Sequence, residues 1–371
     1  MRIITRIAMK TQPDRHRPRA LPALLLAISL GASVAIAGCS APAPAEPLPP
    51  PVVVAPEPIP EPEPEPEPEF TAWLPFNGEG VDEDDPRLTL RPLAVKIENS
   101  PSSRPSMGLS YADVVYETIT EGGITRFCAI FHSFLPNETG STRSARNSDI
   151  SIVPQYDGLF VFSGTNSVVW QLVRSTIRSH LSEGNAGPAF YRVQQKVAPH
   201  NLYFSPELGY ERFEELGHEI ETDGTVRELL FGENDLAGLG GSRAHELYVP
   251  FSAPIFNVTW LYEEEEGAYF RYIDGVEQVD ESDATKQVRA ENVVILSAAY
   301  LAGGGNGTFI LNLNGEGDAI LFQDGMRVEA TWHTDGTHPP ILKDKNGDTL
   351  YFKPGQTWFQ VPADFGAVES S

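Results

Sequence analysis

Apolar and polar positions follow three different rhythms along this chain. Residues 21–36 form a nearly continuous apolar run behind a basic segment that carries Arg2, Arg6, Lys10, Arg15, Arg17 and Arg19. Residues 40–69 have no apolar period, and Glu alternates strictly with Pro over 61–69. From Leu93 onward, strand and helix periods alternate. Residues 93–97 read as a short strand, and 110–118 read as either helix or strand around Val114 and Val115. Residues 127–134 are apolar on both alternating faces, the pattern of a strand covered on both sides. Residues 144–153 have helical character ended by Pro154, and 159–163 read as a strand. Val169, Leu172, Val173, Thr176 and Ile177 recur at helical spacing over 166–177,. Residues 205–217 predict a helix with Ser205 as N-cap, Pro206 in first position and Glu207 in the first turn,.

After Pro250 the period shortens to that of strands rich in aromatic and β-branched residues: 255–262, 268–273, 292–296, 308–313, 327–332 and 349–352,. Asp274-Gly275, Asp324-Gly325 and Asn346-Gly347 punctuate them. Two-residue Asx-Gly turns join antiparallel neighbours because both central residues need φ > 0. The expected fold is α+β (mixed α/β): an N-terminal α/β domain with a mixed sheet over 86–245, then a mainly antiparallel β domain over 246–364. Residues 365–371 are expected as a flexible tail.

The apolar run 21–36 is short and glycine-broken for a permanent span, and it ends in Ile36-Ala37-Gly38-Cys39. That arrangement resembles the lipobox of bacterial lipoproteins. The resemblance implies cleavage after residue 38 and acylation of Cys39, which would hold the chain on the extracytoplasmic face of the membrane. The alternatives are an ordinary cleaved signal peptide or a signal anchor. Residues 39–85 then read as the lipidated cysteine and an extended Pro/Glu-rich linker of polyproline type. Over 40–69 it would reach roughly 90 Å at about 3.1 Å per residue.

The formal charge of the whole chain is -24. Loss of residues 1–38 removes six basic residues and one acidic one and leaves -29. Such a chain repels nucleic acid, whose binding needs clustered Lys and Arg. With Cys39 acylated, Cys128 has no disulfide partner. It sits in an apolar run and reads as a buried inert thiol; a catalytic thiolate would need a cation and solvent.

Charged residues concentrate in Gly- and Pro-marked loops of the N-terminal half: Arg104, then Glu117, Glu121 and Arg126, then Arg143, Ser144 and Arg146, then His200 and Asn201. Here the chain resembles the YerB-like bacterial lipoprotein family, whose domain has no known function. The matching stretches are 91–99, 104–109, 112–117, 121–126, 140–146 and 199–201, with a looser match around 292–295 and 355–358. The resemblance implies the same two-part architecture and brings no activity with it.

The residues offer two functional readings. Arg guanidinium is a planar fork that grips carboxylate or phosphate. Arg104, Arg126, Arg143, Ser144, Arg146 and Asn201 could line a cleft for an anionic cell-envelope ligand or a protein partner. Arg143 and Arg146 would then flank the start of a helix opened at Ser144. Alternatively, His200 with Glu117 or Glu121 could act as acid and base in an envelope hydrolase. Against both stands a structural reading, in which the same Glu and Arg residues pair with one another in a buried network. No cofactor motif is read. Asp344, Asn346 and Asp348 alternate as in a calcium loop, but the glycine is misplaced and no glutamate closes it, so a hairpin turn is the better reading.

Overall fold

The computed structural model describes residues 70–251, 253–303 and 308–371. The lipobox with Cys39 and the linker as far as residue 69 lie outside these residues. In chain order the N-terminal elements are β1 (Ala72–Trp73), β2 (Gly80–Val81), β3 (Leu93–Glu98), β4 (Val114–Ile119), β5 (Thr125–Phe131) and β6 (Thr139–Gly140). They are followed by α1 (Asn147–Ile152), β7 (Leu159–Val161), α2 (Ser167–Thr176), β8 (His180–Leu181), β9 (Phe190–Arg192), β10 (Leu202–Phe204) and α3 (Pro206–Glu215). Next come β11 (Ser242–Arg243), β12 (Glu246–Val249), β13 (Val258–Glu263), β14 (Ala268–Ile273), β15 (Val276–Glu277), β16 (Arg289–Ala290) and β17 (Asn292–Leu296). The series ends with β18 (Tyr300–Ala302), β19 (Phe309–Leu311), β20 (Gly315–Gln323), β21 (Met326–Thr334), β22 (Ile341–Lys343), β23 (Thr349–Leu350), β24 (Thr357–Val361) and β25 (Glu369–Ser370).

Twelve strands make one mixed sheet in the order β23-β22-β21-β20-β17-β24-β4-β5-β3-β7-β8, with β11 alongside β21. Six more make an antiparallel sheet, β15-β14-β13-β12-β25, with β16 alongside β14. The large sheet is apolar on both faces, as the continuous apolar character of β5 requires; all seven of its residues are buried,. One face, through Val95, Ile97, Val115, Phe127 and Trp358, packs on the six-stranded sheet through Leu247, Val258, Trp260 and Tyr269. The other face, through Ala94, Tyr116, Cys128 and Phe359, packs on Ile152 of α1 and on Val169 and Val173 of α2. The result is three layers: helices, large sheet, small sheet.

β24 pairs in parallel with β17 on one side and with β4 on the other, Thr357 lying opposite both Asn292 and Val114. The two sequence segments on either side of residue 245 therefore share one sheet. Trp358 and Phe359 point into opposite cores, so β24 has no face it could leave to solvent.

Four details differ from the sequence expectations. Residues 70–85 are folded rather than linker: β1 pairs with β2, and Leu74 and Phe76 are buried. Residues 365–371 are docked rather than loose, because β25 pairs with Leu247 and Tyr248 of β12. The helix expected from Ser144 begins at Asn147 and runs six residues, too short to present an anion-binding terminus. Asp274-Gly275 and Asp324-Gly325 do have both residues at positive φ, but at Asn346-Gly347 only the glycine does. There the Asp344 carboxylate takes the N–H groups of Asn346 and Asp348 and shapes the loop instead,.

Candidate functional site

The charged loops converge where β3 ends and β5 begins. Glu98, the last residue of β3, is directly opposite Arg126, on the sheet face turned toward the helices. β3, β7 and β8 run parallel, so their carboxyl ends and the loops that follow lie together. In open sheets this is where ligand crevices form. The loop 141–146 crosses this edge, its backbone tied to Lys96, Ser163 and Gly164.

Three guanidinium groups gather here. Arg146 donates Nε to Glu121 at 2.7 Å and Nη1 to the carbonyls of Ser144 and Ala145. Arg143 Nε lies 3.1 Å from Glu98 Oε1, but its N–H is not aimed at that oxygen, so the contact is electrostatic. Arg126 is 6% exposed and donates Nη1 to the Ser144 carbonyl at 3.1 Å. Its Nε has no hydrogen-bond partner, and among the described residues no carboxylate comes within ion-pair distance of it. Burial, with Arg146 and Arg143 beside it, pushes its pKa down to about 9,. The neighbouring Lys96–Asp149 pair is fully buried, 2.6 Å apart, and neutralises itself.

Glu98 also holds His200. Nδ1 of His200 lies 2.9 Å from Glu98 Oε2, with the Ser100 hydroxyl 3.4 Å away. The ring is a quarter exposed while the carboxylate is buried. A buried carboxylate on one ring nitrogen orients a histidine and fixes its tautomer.

The other sheet face holds a second cluster. Glu117 is fully buried and saturated: it takes Arg271 Nη2 at 2.5 Å, Gln360 Nε2 at 3.0 Å, Asn99 Nδ2 at 3.1 Å and the Thr125 hydroxyl at 2.6 Å. Arg271 is likewise fully buried, between the rings of Phe127, Trp260 and Trp358, at 5.4, 5.6 and 4.8 Å from their centroids,.

The structure thus sorts the sequence candidates into groups. Arg126, Arg143, Ser144, Arg146, Glu121 and His200 come together. Glu117 does not join them: it faces the opposite core, and the acid–base pairing of His200 with Glu117 or Glu121 is replaced by His200 with Glu98. Asn201 also turns away, taking Arg192 Nη1 at 2.8 Å and donating to the Val193 carbonyl. Arg104 serves the other face, donating Nε to Asn99 and Nη2 to the Ile255 carbonyl. Sequence reasoning missed Glu98 and Arg271 as chemistry-bearing residues. Both had a signal. Glu98 shares a strand face with Lys96, and Arg271 alternates with Tyr269 and Ile273 on the inward face of β14,. Cys128 is wholly buried and its thiol is held protonated by burial.

The N-terminal domain of the family described as Protein of unknown function (DUF3048) matches residues 78–224, and its C-terminal domain matches 247–359. The chain belongs to this YerB-like family. The first match carries Glu98, Arg126, Arg143, Arg146 and His200; the second carries Arg271. A Bacillus subtilis (strain 168) protein named "Putative lipoprotein YerB" is 32% identical over 288 residues, which is 76% of this chain and 84% of that protein. The crystal structure of YerB protein from Bacillus subtilis superposes with a TM-score of 0.73 at 28% identity, covering 81% of this chain and 99% of that one.

Proposed function

We propose that this protein is a lipid-anchored extracytoplasmic lipoprotein whose folded head binds an anionic group of the cell envelope through Arg126, Arg143 and Arg146. The lipobox resemblance at Cys39 and the name of the Bacillus relative support the anchor. One observation carries the binding reading: Arg126 is buried beside two other guanidinium groups with its Nε unpartnered. Glu98 and Glu121 pair with Arg143 and Arg146, which leaves the third guanidinium, Arg126, without a counter-charge of its own, a cost that a bound anion would offset. A phosphate or carboxylate presents the acceptors that such a cluster lacks. The test is titration of the full-length protein with purified anionic wall polymer and with inorganic phosphate. Saturable binding that falls at least tenfold in Arg126→Met supports the reading. Binding indifferent to Arg126, Arg143 and Arg146 removes it.

A second reading, an envelope hydrolase, draws on the Glu98–His200 contact. In it His200 is the general base, Glu98 orients the ring and Arg143 clamps the substrate. The reading predicts that wall material is cleaved by the parent protein and not by His200→Ala.

A further inference from the structure

A cavity of about 450 Å³ lies away from the arginine cluster, between the loop 101–105 and the turn that joins β14 to β15. Its walls are Pro101, Pro105, Ile255, Ile273, Val276 and Val279; Arg104 is the side-chain hydrogen-bond donor in its lining, and Asp274 and Glu277 are exposed at it. Val276 is 68% exposed and Ile255 46%, a high exposure for aliphatic groups clustered on one surface.

Arg104 is incompletely used. It spends Nε on Asn99 and Nη2 on the Ile255 carbonyl. Among the described residues its Nη1 has no acceptor. The guanidinium is also held rigidly, because Asn99 links it to the buried carboxylate of Glu117. A rigid donor loses little entropy on meeting an acceptor.

We propose that this cavity binds an uncharged apolar ligand that presents a carbonyl acceptor, the chemistry of an apolar peptide segment. The apolar walls take aliphatic side chains, and Arg104 Nη1 takes the carbonyl. Asp274 and Glu277 disfavour a ligand carrying its own negative charge. β15 ends the six-stranded sheet, so an extended segment has a strand edge to lie beside. This site is independent of the anion-binding reading, since none of its lining residues belongs to the arginine cluster at Glu98.

The experiment is calorimetric titration of the full-length protein in detergent, against empty micelles, with two probes. One is the dipeptide Val-Leu blocked as N-acetyl and C-amide; the other is its N-acetyl form with a free carboxylate. The blocked probe binds saturably, and the free acid binds at least threefold more weakly. Arg104→Met and Ile255→Asp each lower affinity for the blocked probe at least tenfold. Ile255 is exposed, so Ile255→Asp reads the site even where Arg104→Met disturbs folding. Absence of saturable binding, binding unchanged by Ile255→Asp, or tighter binding of the acid would overturn the assignment.

Discussion

Glu98 and Asn99 are consecutive, yet they bond to clusters on opposite faces of one sheet. Glu98 holds Arg143 and His200 on the helix side. Asn99 holds Glu117 and Arg104 on the side of the small sheet. The two-residue period of a strand enforces this division. The helix-side cluster is partly exposed and short of carboxylate, whereas the other is buried around a carboxylate, Glu117, that is fully hydrogen-bonded.

That contrast sets an order of stabilities. Glu117→Ala or Arg271→Met leaves a buried charge uncompensated and should cost roughly 3–5 kcal/mol. Arg143→Ala removes a partly exposed contact and should cost less than about 1 kcal/mol. Urea denaturation of the three variants checks this, and similar losses at all three positions would refute the division.

Arg126 gives a less usual expectation. Because no carboxylate pairs with it, Arg126→Met should keep stability within about 1 kcal/mol of the parent or raise it. Phosphate should raise the melting temperature of the parent protein through preferential binding to the folded state. That rise should vanish in Arg126→Met. A large destabilisation would instead mark the guanidinium as structural.

Asp113 supplies a pH test. It is fully buried, and it takes the N–H groups of His132 and Ser133 on Oδ2 and the Ser133 hydroxyl on Oδ1. Burial pushes its pKa up to about 6, against those hydrogen bonds, from a usual value of ~3.9 when unfolded. The folded state therefore binds the proton more tightly. The resulting stability is present below the unfolded value and is lost as pH rises through about 6. Stability of the parent relative to Asp113→Asn should fall between pH 4 and 7, by at most about 3 kcal/mol. Thermal melts across that range give the sign, and a rise with pH would contradict it.

The anchor is tested separately. Cys39→Ala should abolish fatty-acid labelling and move the protein out of the membrane fraction. Labelling that survives the substitution would dispose of the lipobox.

Much of the framework was legible in the chain. The cap of α3 follows the local rule: Ser205 accepts the Leu208 N–H, Pro206 is in first position and Glu207 in the first turn,. The buried faces of β5 and the Asp-Gly turns were equally plain, because period and turn chemistry are local. Partner choice was not. His200 meets Glu98 across 102 positions and Arg271 meets Glu117 across 154. Such distances are set by the sheet order, which no local pattern encodes. The small hairpin β1–β2 was hidden for another reason: Leu74 and Phe76 stand among Pro and acidic residues that read as linker.

The place of β24 has a consequence for how the molecule is made. The strand that bridges β17 and β4 follows both of them along the polypeptide. Until it emerges, the central sheet is two unjoined halves, each with an open apolar edge. A chain threaded through a membrane from its amino end would stay pliable during passage and lock only on the far side. That timing suits transport in an unfolded form and makes loss of β24 costly to the whole sheet.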